Sequence, residues 1–461
     1  MRVERDNLGQ MRIPEDAYYG IQTARALLNF PVSGIRERPE FIRAYVLVKK
    51  AAALANIELG ILERKRGSAI VRAADSVLGG NLLDQFQVDV FQAGAGTSFN
   101  MNVNEVLTNL ALEILGREKG DYAYLSPNDH MNMGQSTNDT FPTATHIAIV
   151  QMAVELLSWL RNLEKAFKSK SKEMSGVVKS GRTHLMDALP VTLGQEFGAY
   201  SSSLARARRR IESRRRDLLE LPIGGTATGT GANAHPEFRR RVVGHLSSLC
   251  SLPFREAVDS FEMLQSRSQI SSFSSSLKEL AQELTRICND LRLLSSGPTT
   301  GLAEISLPAV QPGSSIMPGK VNPVIPECMN MVCFQVISND EAVSLAAQAG
   351  QLELNVMAPL MTHNVLQSLA LLNNYLPVFQ KRCIEGIAPN AARCRSYVER
   401  NPSLATFLTG RMGYAKAAEL ARESEEKGVP VSRLAVKKGL ITEAEARRLF
   451  DPGLLASSRY D

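Results

Sequence analysis

The chain has 461 residues, 44% of them apolar and 22% charged, with a formal net charge of +6. That length allows two or three structural units, and the composition is that of a soluble globular protein with a large core. The charged start, MRVERDNLGQMRIPEDAYYG, lacks the apolar region of a signal peptide, and no window approaches about 18 uninterrupted apolar residues, so neither a leader nor a membrane span is expected and the expected location is cytoplasmic.

Residues 1–136 mix short segments with turn signals at Gly9, Pro14, Pro31 and Gly34, around a helical stretch at Phe41–Leu62. Phe91–Asn104 (FQAGAGTSFNMNVN) is small and polar and reads as a loop entering a helix. Pro142 opens a Pro-free stretch reaching to Pro190. Within it Ile149, Met152, Leu156, Leu160, Leu163 and Phe167 recur at steps of three and four, the buried stripe of a long helix. Further helical stretches run over 192–220, 258–296, 327–350 and 352–383. Helices this long need one another to bury their stripes, and aromatics are only 6% of the chain, so an all-α fold with a long central bundle is expected.

That bundle occupies 137–389, with smaller helical units at 1–136 and 390–461. In the last of these Thr442 and Glu445 form a capping-box pattern. Gly297–Pro326 carries six prolines and reads as a long functional loop between two bundle helices.

Four stretches concentrate small polar residues: Gly94–Asn104, Gly134–Asp139 (GQSTND), Ser180–Asp187 (SGRTHLMD) and Gly313–Asn322 (GSSIMPGKVN). Together they supply hydroxyls, amides, one lysine and one histidine, with few carboxylates. A small dicarboxylate needs this: neutral donors for its oxygens and one or two cations for its charge. Composition alone does not bring the stretches together. The remaining histidines (His130, His146, His235, His245, His363) show no ligand spacing, and the six cysteines contain no CxxC pair. Neither a catalytic metal nor a disulfide is expected, and nothing calls for a cofactor.

GSSIMPGKVNP at 313–323 resembles the signature of the aspartase/fumarase superfamily, and the similarity runs from DAYYGIQTARALLNFP near the start to GLITEAEARRLFD near the end. The resemblance implies a homotetramer around a central helical bundle, active sites shared between subunits, and cleavage of C–N or C–O bonds with release of fumarate. GAGTS at 94–98, QSTND at 135–139, DAYYGIQT at 16–23 and QLELNVMAP at 351–359 are similar to aspartases, whereas Gly319 and YAKAAEL at 414–420 also suit class II fumarases.

On that resemblance Ser314 is the base. A serine hydroxyl is a poor base unless its oxyanion is stabilised by backbone N–H groups and a nearby cation, and Gly313, Gly319 and Lys320 make such a setting plausible. Ser315, Thr97, Ser136 and Thr137 are implied to hold the β-carboxylate, and Thr183, Lys320 and Asn322 the α-carboxylate. His184 and Asn138 are implied near the departing amino group, with Glu327 orienting His184.

Two other readings of the residues are weaker. Arg206, Arg208, Arg209, Arg210, Arg214, Arg215 and Arg216 could grip nucleic acid. Interleaved Glu212 and Asp217 and the lack of stacking aromatics favour a solvated helix face, so no nucleic-acid partner is expected. GGTATGTGAN at 224–233 lacks the spacing of a phosphate loop and reads as a structural loop near the site.

Overall fold

The computed structural model describes residues 1–456, so the final residues of the expected C-terminal unit, 457–461, lie outside the described residues. The chain is mostly helical. A hairpin of β1 (Arg2–Asp6) and β2 (Gly9–Ile13) leads into α1 (Ile21–Asn29), α2 (Pro39–Glu58), α3 (Arg64–Leu78) and α4 (Thr97–Ile114). Next come α5 (Thr137–Glu173) and a second hairpin, β3 (Val178–Thr183) and β4 (Met186–Thr192). The long helices α6 (Leu193–Asp217), α9 (Ser268–Leu294), α10 (Val324–Gln348) and α11 (Ala358–Arg382) follow, with α7 (Phe238–Cys250) and α8 (Ser260–Gln265) between the first two. Short helices fill Ala391–Leu455, and the capping box at Thr442 and Glu445 is present in full.

Two compact units emerge among the described residues, made of 1–157, 209–281 and 334–373 in the first and 158–208, 282–333 and 374–456 in the second. The first packs Phe41, Tyr45, Phe99 and Phe141 as a ring cluster with centroids 5.0–5.9 Å apart. The second packs Phe167, Phe197 and Tyr200 tilted and edge-to-face, and closes its C-terminal part over Leu404, Leu408, Leu420 and Leu434.

The stripe Ile149 to Phe167 is buried as expected. α5 is also the one described helix long and apolar enough to cross a membrane, but 72% of that window is buried inside the protein, which makes it a core helix.

Two expectations are corrected. α5 starts at Thr137, ahead of Pro142, and the missing proline N–H explains how. The Asn138 carbonyl it would have served receives the Arg267 guanidinium at 3.4 Å instead. The stretch before Pro190 is not helix but the β3–β4 hairpin. Its two turn residues, His184 (φ 56°) and Leu185 (φ 61°), are both left-handed, the backbone that matches strand twist in a two-residue turn.

A short strap of the first unit anchors the segment that leads into α4. Val90 N–H donates to the Ile35 carbonyl, and Asp89 accepts from Ser33, Gly34 and Phe91. Beside it Glu37 is buried, with one carboxyl oxygen lacking any hydrogen bond. Burial, with Asp89 nearby, pushes this carboxyl up from 4.5 to about 8. A folded-state value above the unfolded one gives stability that is full below the unfolded value and lost as pH rises through the folded one. Glu37→Gln is therefore expected to stabilise the protein by on the order of 1–3 kcal/mol at alkaline pH and not near pH 4, read as melting curves of the two proteins at both pH values.

Candidate active site

Thr97, Ser136, Thr137 and Asn138 belong to the first unit, and Thr183, His184, Ser314, Ser315, Lys320, Asn322 and Glu327 to the second. In the first unit Thr97 is the exposed first residue of α4. The GAGTS turn reaches it through two left-handed residues, Ala95 (φ 61°) and Gly96 (φ 86°), and Ala95 N–H is tied to the Val356 carbonyl at 2.8 Å. Gly96 has no substitute here, because a Cβ would overlap the Phe141 ring.

Ser136 caps α5. Its Oγ accepts from Asn138 N–H at 3.2 Å, and Asp139 reaches back to accept from Ser136 N–H at 3.0 Å. The other Asp139 oxygen accepts from Gly224 N–H at 3.0 Å and Thr226 N–H at 2.9 Å, and the Asn138 amide donates to the Ala227 carbonyl at 2.7 Å. The GGTATGTGAN segment is thus a brace for QSTND. Thr137 Oγ1 accepts from the Asn100 amide at 2.9 Å, so its own proton is left for an outside acceptor.

Beneath these residues lies a buried polar layer. Lys49, 0% exposed, donates to Asn132 Oδ1 at 2.9 Å and Gln135 Oε1 at 3.0 Å. Asn132 Oδ1 also accepts from Asn100 and Asn104. The Tyr45 hydroxyl links Asn100 and Thr140. Burial pushes Lys49 down to about 7 and Asp139 up to about 7, while three backbone donors and Lys49 itself pull Asp139 back. Sequence reading missed Lys49, Asn100 and Asn132. The usable signals were a lysine inside the apolar run AYVLVKKAAA and asparagines at every second place of FNMNVN, a polarity a buried helix face retains only when it is hydrogen-bonded.

In the second unit the hairpin tip exposes Thr183 and His184. Just behind it Arg182 pairs with the fully buried Glu304 at 2.8 Å, Lys179 with the same carboxylate at 3.0 Å, and Asn401 holds Ser180 and the Ala188 carbonyl. The left-handed backbone of His184 belongs to the two-residue hairpin turn it shares with Leu185.

The loop 313–322 closes on itself. Gly313 N–H donates to the Lys320 carbonyl at 2.8 Å, the Asn322 amide donates to the Gly313 carbonyl, and a Cβ at Gly313 would collide with the Lys320 carbonyl. Within that ring Ser314 Oγ accepts two backbone N–H groups, from Ile316 at 3.3 Å and Met317 at 2.9 Å. Ser315 and Lys320 are exposed, and Glu327 sits half-buried in the first turn of α10. No hydrogen bond joins Glu327 to His184 among the described residues. Five of the seven arginines in the run pair with carboxylates: Arg208 with Glu164, Arg210 with Glu279, Arg214 with Asp217, and Arg215 and Arg216 with Glu212.

Comparison with known proteins gives a whole-length match. The lyase family matches residues 9–338 and the fumarase C C-terminus matches 404–457. An aspartate ammonia-lyase of a Bacillus species is 48% identical over 452 residues, covering 98% of this chain and 97% of that protein. A class II fumarate hydratase of Halobacterium salinarum is 47% identical over 452 residues, covering 98% and 96%. A fumarate lyase:delta crystallin of Brucella melitensis, solved bound to cobalt, superposes with a TM-score of 0.96 at 46% identity across 99% of this chain and 100% of that one.

The GAGTS turn gives a direct test. Gly96→Ala is expected to cost on the order of 2–5 kcal/mol, from left-handed strain and the Phe141 overlap together. Gly94→Ala, whose Cβ would meet Val356 at 3.1 Å without a positive φ, is the milder control. Equal melting temperatures for the two variants would contradict this account of the turn.

Proposed function

This chain belongs to the lyase family that holds the aspartases and class II fumarases, and we propose that within it the chain is an aspartate ammonia-lyase, which removes ammonia from L-aspartate to give fumarate. Its whole-length likeness to an aspartate ammonia-lyase supports the substrate. The observation that carries the mechanism is the pair of backbone N–H groups on Ser314 Oγ.

Ser314 is the base. A hydroxyl becomes basic only as an alkoxide, and an alkoxide survives near neutrality only where donors already point at it. The Ile316 and Met317 N–H groups are such donors, and Lys320 lies on the same closed loop. The alkoxide takes the proton from the carbon beside the β-carboxylate. The freed electron pair enters that carboxylate and gives a dianionic aci-carboxylate. Its collapse forms the carbon–carbon double bond, breaks the C–N bond on the opposite face, and ammonia departs.

Charge accumulates on the β-carboxylate, so donors placed there lower the barrier most. Thr97, Ser136, Thr137 and Ser315 fill that role. Thr183, Lys320 and Asn322 hold the α-carboxylate, His184 and Asn138 stand by the amino group, and Glu327 orients His184. Residues from different subunits of a homotetramer complete each site, and loop 313–322 closes over bound substrate to exclude water. The protein works in the cytoplasm.

A fumarase reading draws on the 47% identity to the Halobacterium salinarum enzyme and on Gly319. Purified protein mixed separately with L-aspartate and L-malate, followed by the ultraviolet absorbance of fumarate, decides between them. Fumarate from aspartate with ammonia released in step is the expected result, and fumarate from malate alone makes the chain a hydratase. Ser314→Ala is expected to lower kcat by on the order of 10²–10⁴ with folding intact. Undiminished turnover would remove Ser314 from the mechanism.

A further inference from the structure

The buried amine of Lys49 has no role in the elimination as described above. Lysine is almost never fully buried unless paired, and no carboxylate lies within hydrogen-bond distance of this one among the described residues. Its two acceptors, Asn132 Oδ1 and Gln135 Oε1, are both neutral amide oxygens. Two acceptors match the two protons of a neutral amine, and leave the third proton of an ammonium with no oxygen or nitrogen acceptor among the described residues, only the face of the Tyr45 ring 5.6 Å away. The same layer ends at the carboxylate-binding candidates. Gln135 precedes Ser136 in the chain, and Asn132 is joined through Asn100 to Thr137 Oγ1.

We propose that Lys49 is the buried counter-charge for the carboxylate bound at Ser136 and Thr137, its amine taking up one proton from solvent when a dicarboxylate dianion binds. The inference rests on the reading that Ser136 and Thr137 hold a substrate carboxylate. No bond of the substrate changes in this step: one proton moves from solvent to Nζ.

The energetic logic is direct. Burial disfavours the charged form and pushes Lys49 down to about 7. The groups facing the amine are few. Asp139, at the start of α5, pulls it upward, and the Tyr45 ring lies 5.6 Å away on its own helix. Arg267 acts on the same Asp139 from the turn before α9. An arriving carboxylate adds negative charge above this buried layer, and charges interact more strongly with a buried amine than they would in water. The layer then supplies positive charge only when the site is filled. Lys49 acts through Asn132 and Gln135, so it is a positioning and charge-compensating residue rather than one that touches the reacting atoms.

The test is calorimetric titration of succinate, a dicarboxylate with no leaving group, into the wild-type protein near pH 8 in two buffers of different ionisation enthalpy. Uptake approaching one proton per chain is expected, with a dissociation constant that rises up to about tenfold per pH unit above 8. Lys49→Met is expected to abolish the uptake. Should circular dichroism show that it does not fold, Lys49→Arg, a permanent cation, replaces it, with uptake lost and binding kept. Succinate binding without proton uptake, or with uptake unchanged in the variant, overturns the inference and leaves the carboxylate site standing. No succinate binding, together with no fumarate from aspartate or malate, overturns the carboxylate site itself.

Discussion

The first unit's share of the site depends on one buried carboxylate. Asp139 is 0% exposed and accepts three backbone N–H bonds, from Ser136, Gly224 and Thr226. Burying an ionised group costs several kcal/mol unless its donors are in place, so Asp139 holds the residues around it to one arrangement. It sets the cap of α5, and with it the backbone that presents Ser136, Thr137 and Asn138. It also fixes the segment at 224–226, which is neither helix nor strand and has no ladder of its own. Arg267, buried and facing the same carboxylate, takes up the carbonyl that Pro142 leaves unserved. One acidic side chain therefore reconciles a proline inside a helix, a coil segment and a half-buried polar turn.

The second unit holds its candidates by different means. The hairpin tip is stiffened from behind by Glu304 with Arg182 and Lys179, a paired and buried arrangement. Loop 313–322 has little burial to rely on: Ser315, Ile316 and Lys320 are exposed, and its ties run mostly within itself. A segment with few buried apolar contacts and self-contained hydrogen bonds opens at low free-energy cost. The loop keeps its internal geometry, with the Ser314 hydroxyl cradled, while its attachment to the remainder of the unit is light. A hydroxyl cradled within such a loop keeps its two backbone donors in whichever position the loop takes.

Much of the fold was legible, because helix stripes are a matter of spacing. Ile149 to Phe167 needed only the recurrence of three and four, and the Thr442–Glu445 cap only its two residue types. The hairpin at 178–192 was not legible, since its turn is made by His184 and Leu185, neither a residue that normally signals a left-handed turn. The start of α5 was misplaced because proline is a break signal, and the compensating guanidinium comes from a residue 129 positions along the chain.

The candidates at turns and loops were easier to find than the buried groups beneath them, and the reason is physical. Ser136 and Ser314 sit in small, polar turns beside Gly134 and Gly313 whose composition announces a loop, and Thr137 follows directly on the first of them. Lys49 and Asn100 sit inside helices, where a single polar residue among apolar neighbours carries no local signature of its partners. Their positions are meaningful only as a set, because a buried donor is tolerated only if a specific acceptor from another element meets it. Lys49 comes from α2, Asn100 from α4, and Asn132 and Gln135 from the turn before α5. In the first unit the candidates Thr97, Ser136, Thr137 and Asn138 are all neutral, so that part of the candidate site carries no positive charge of its own for a bound carboxylate. The layer that could supply it is spread over three elements, which is why reading the sequence in order passes it by.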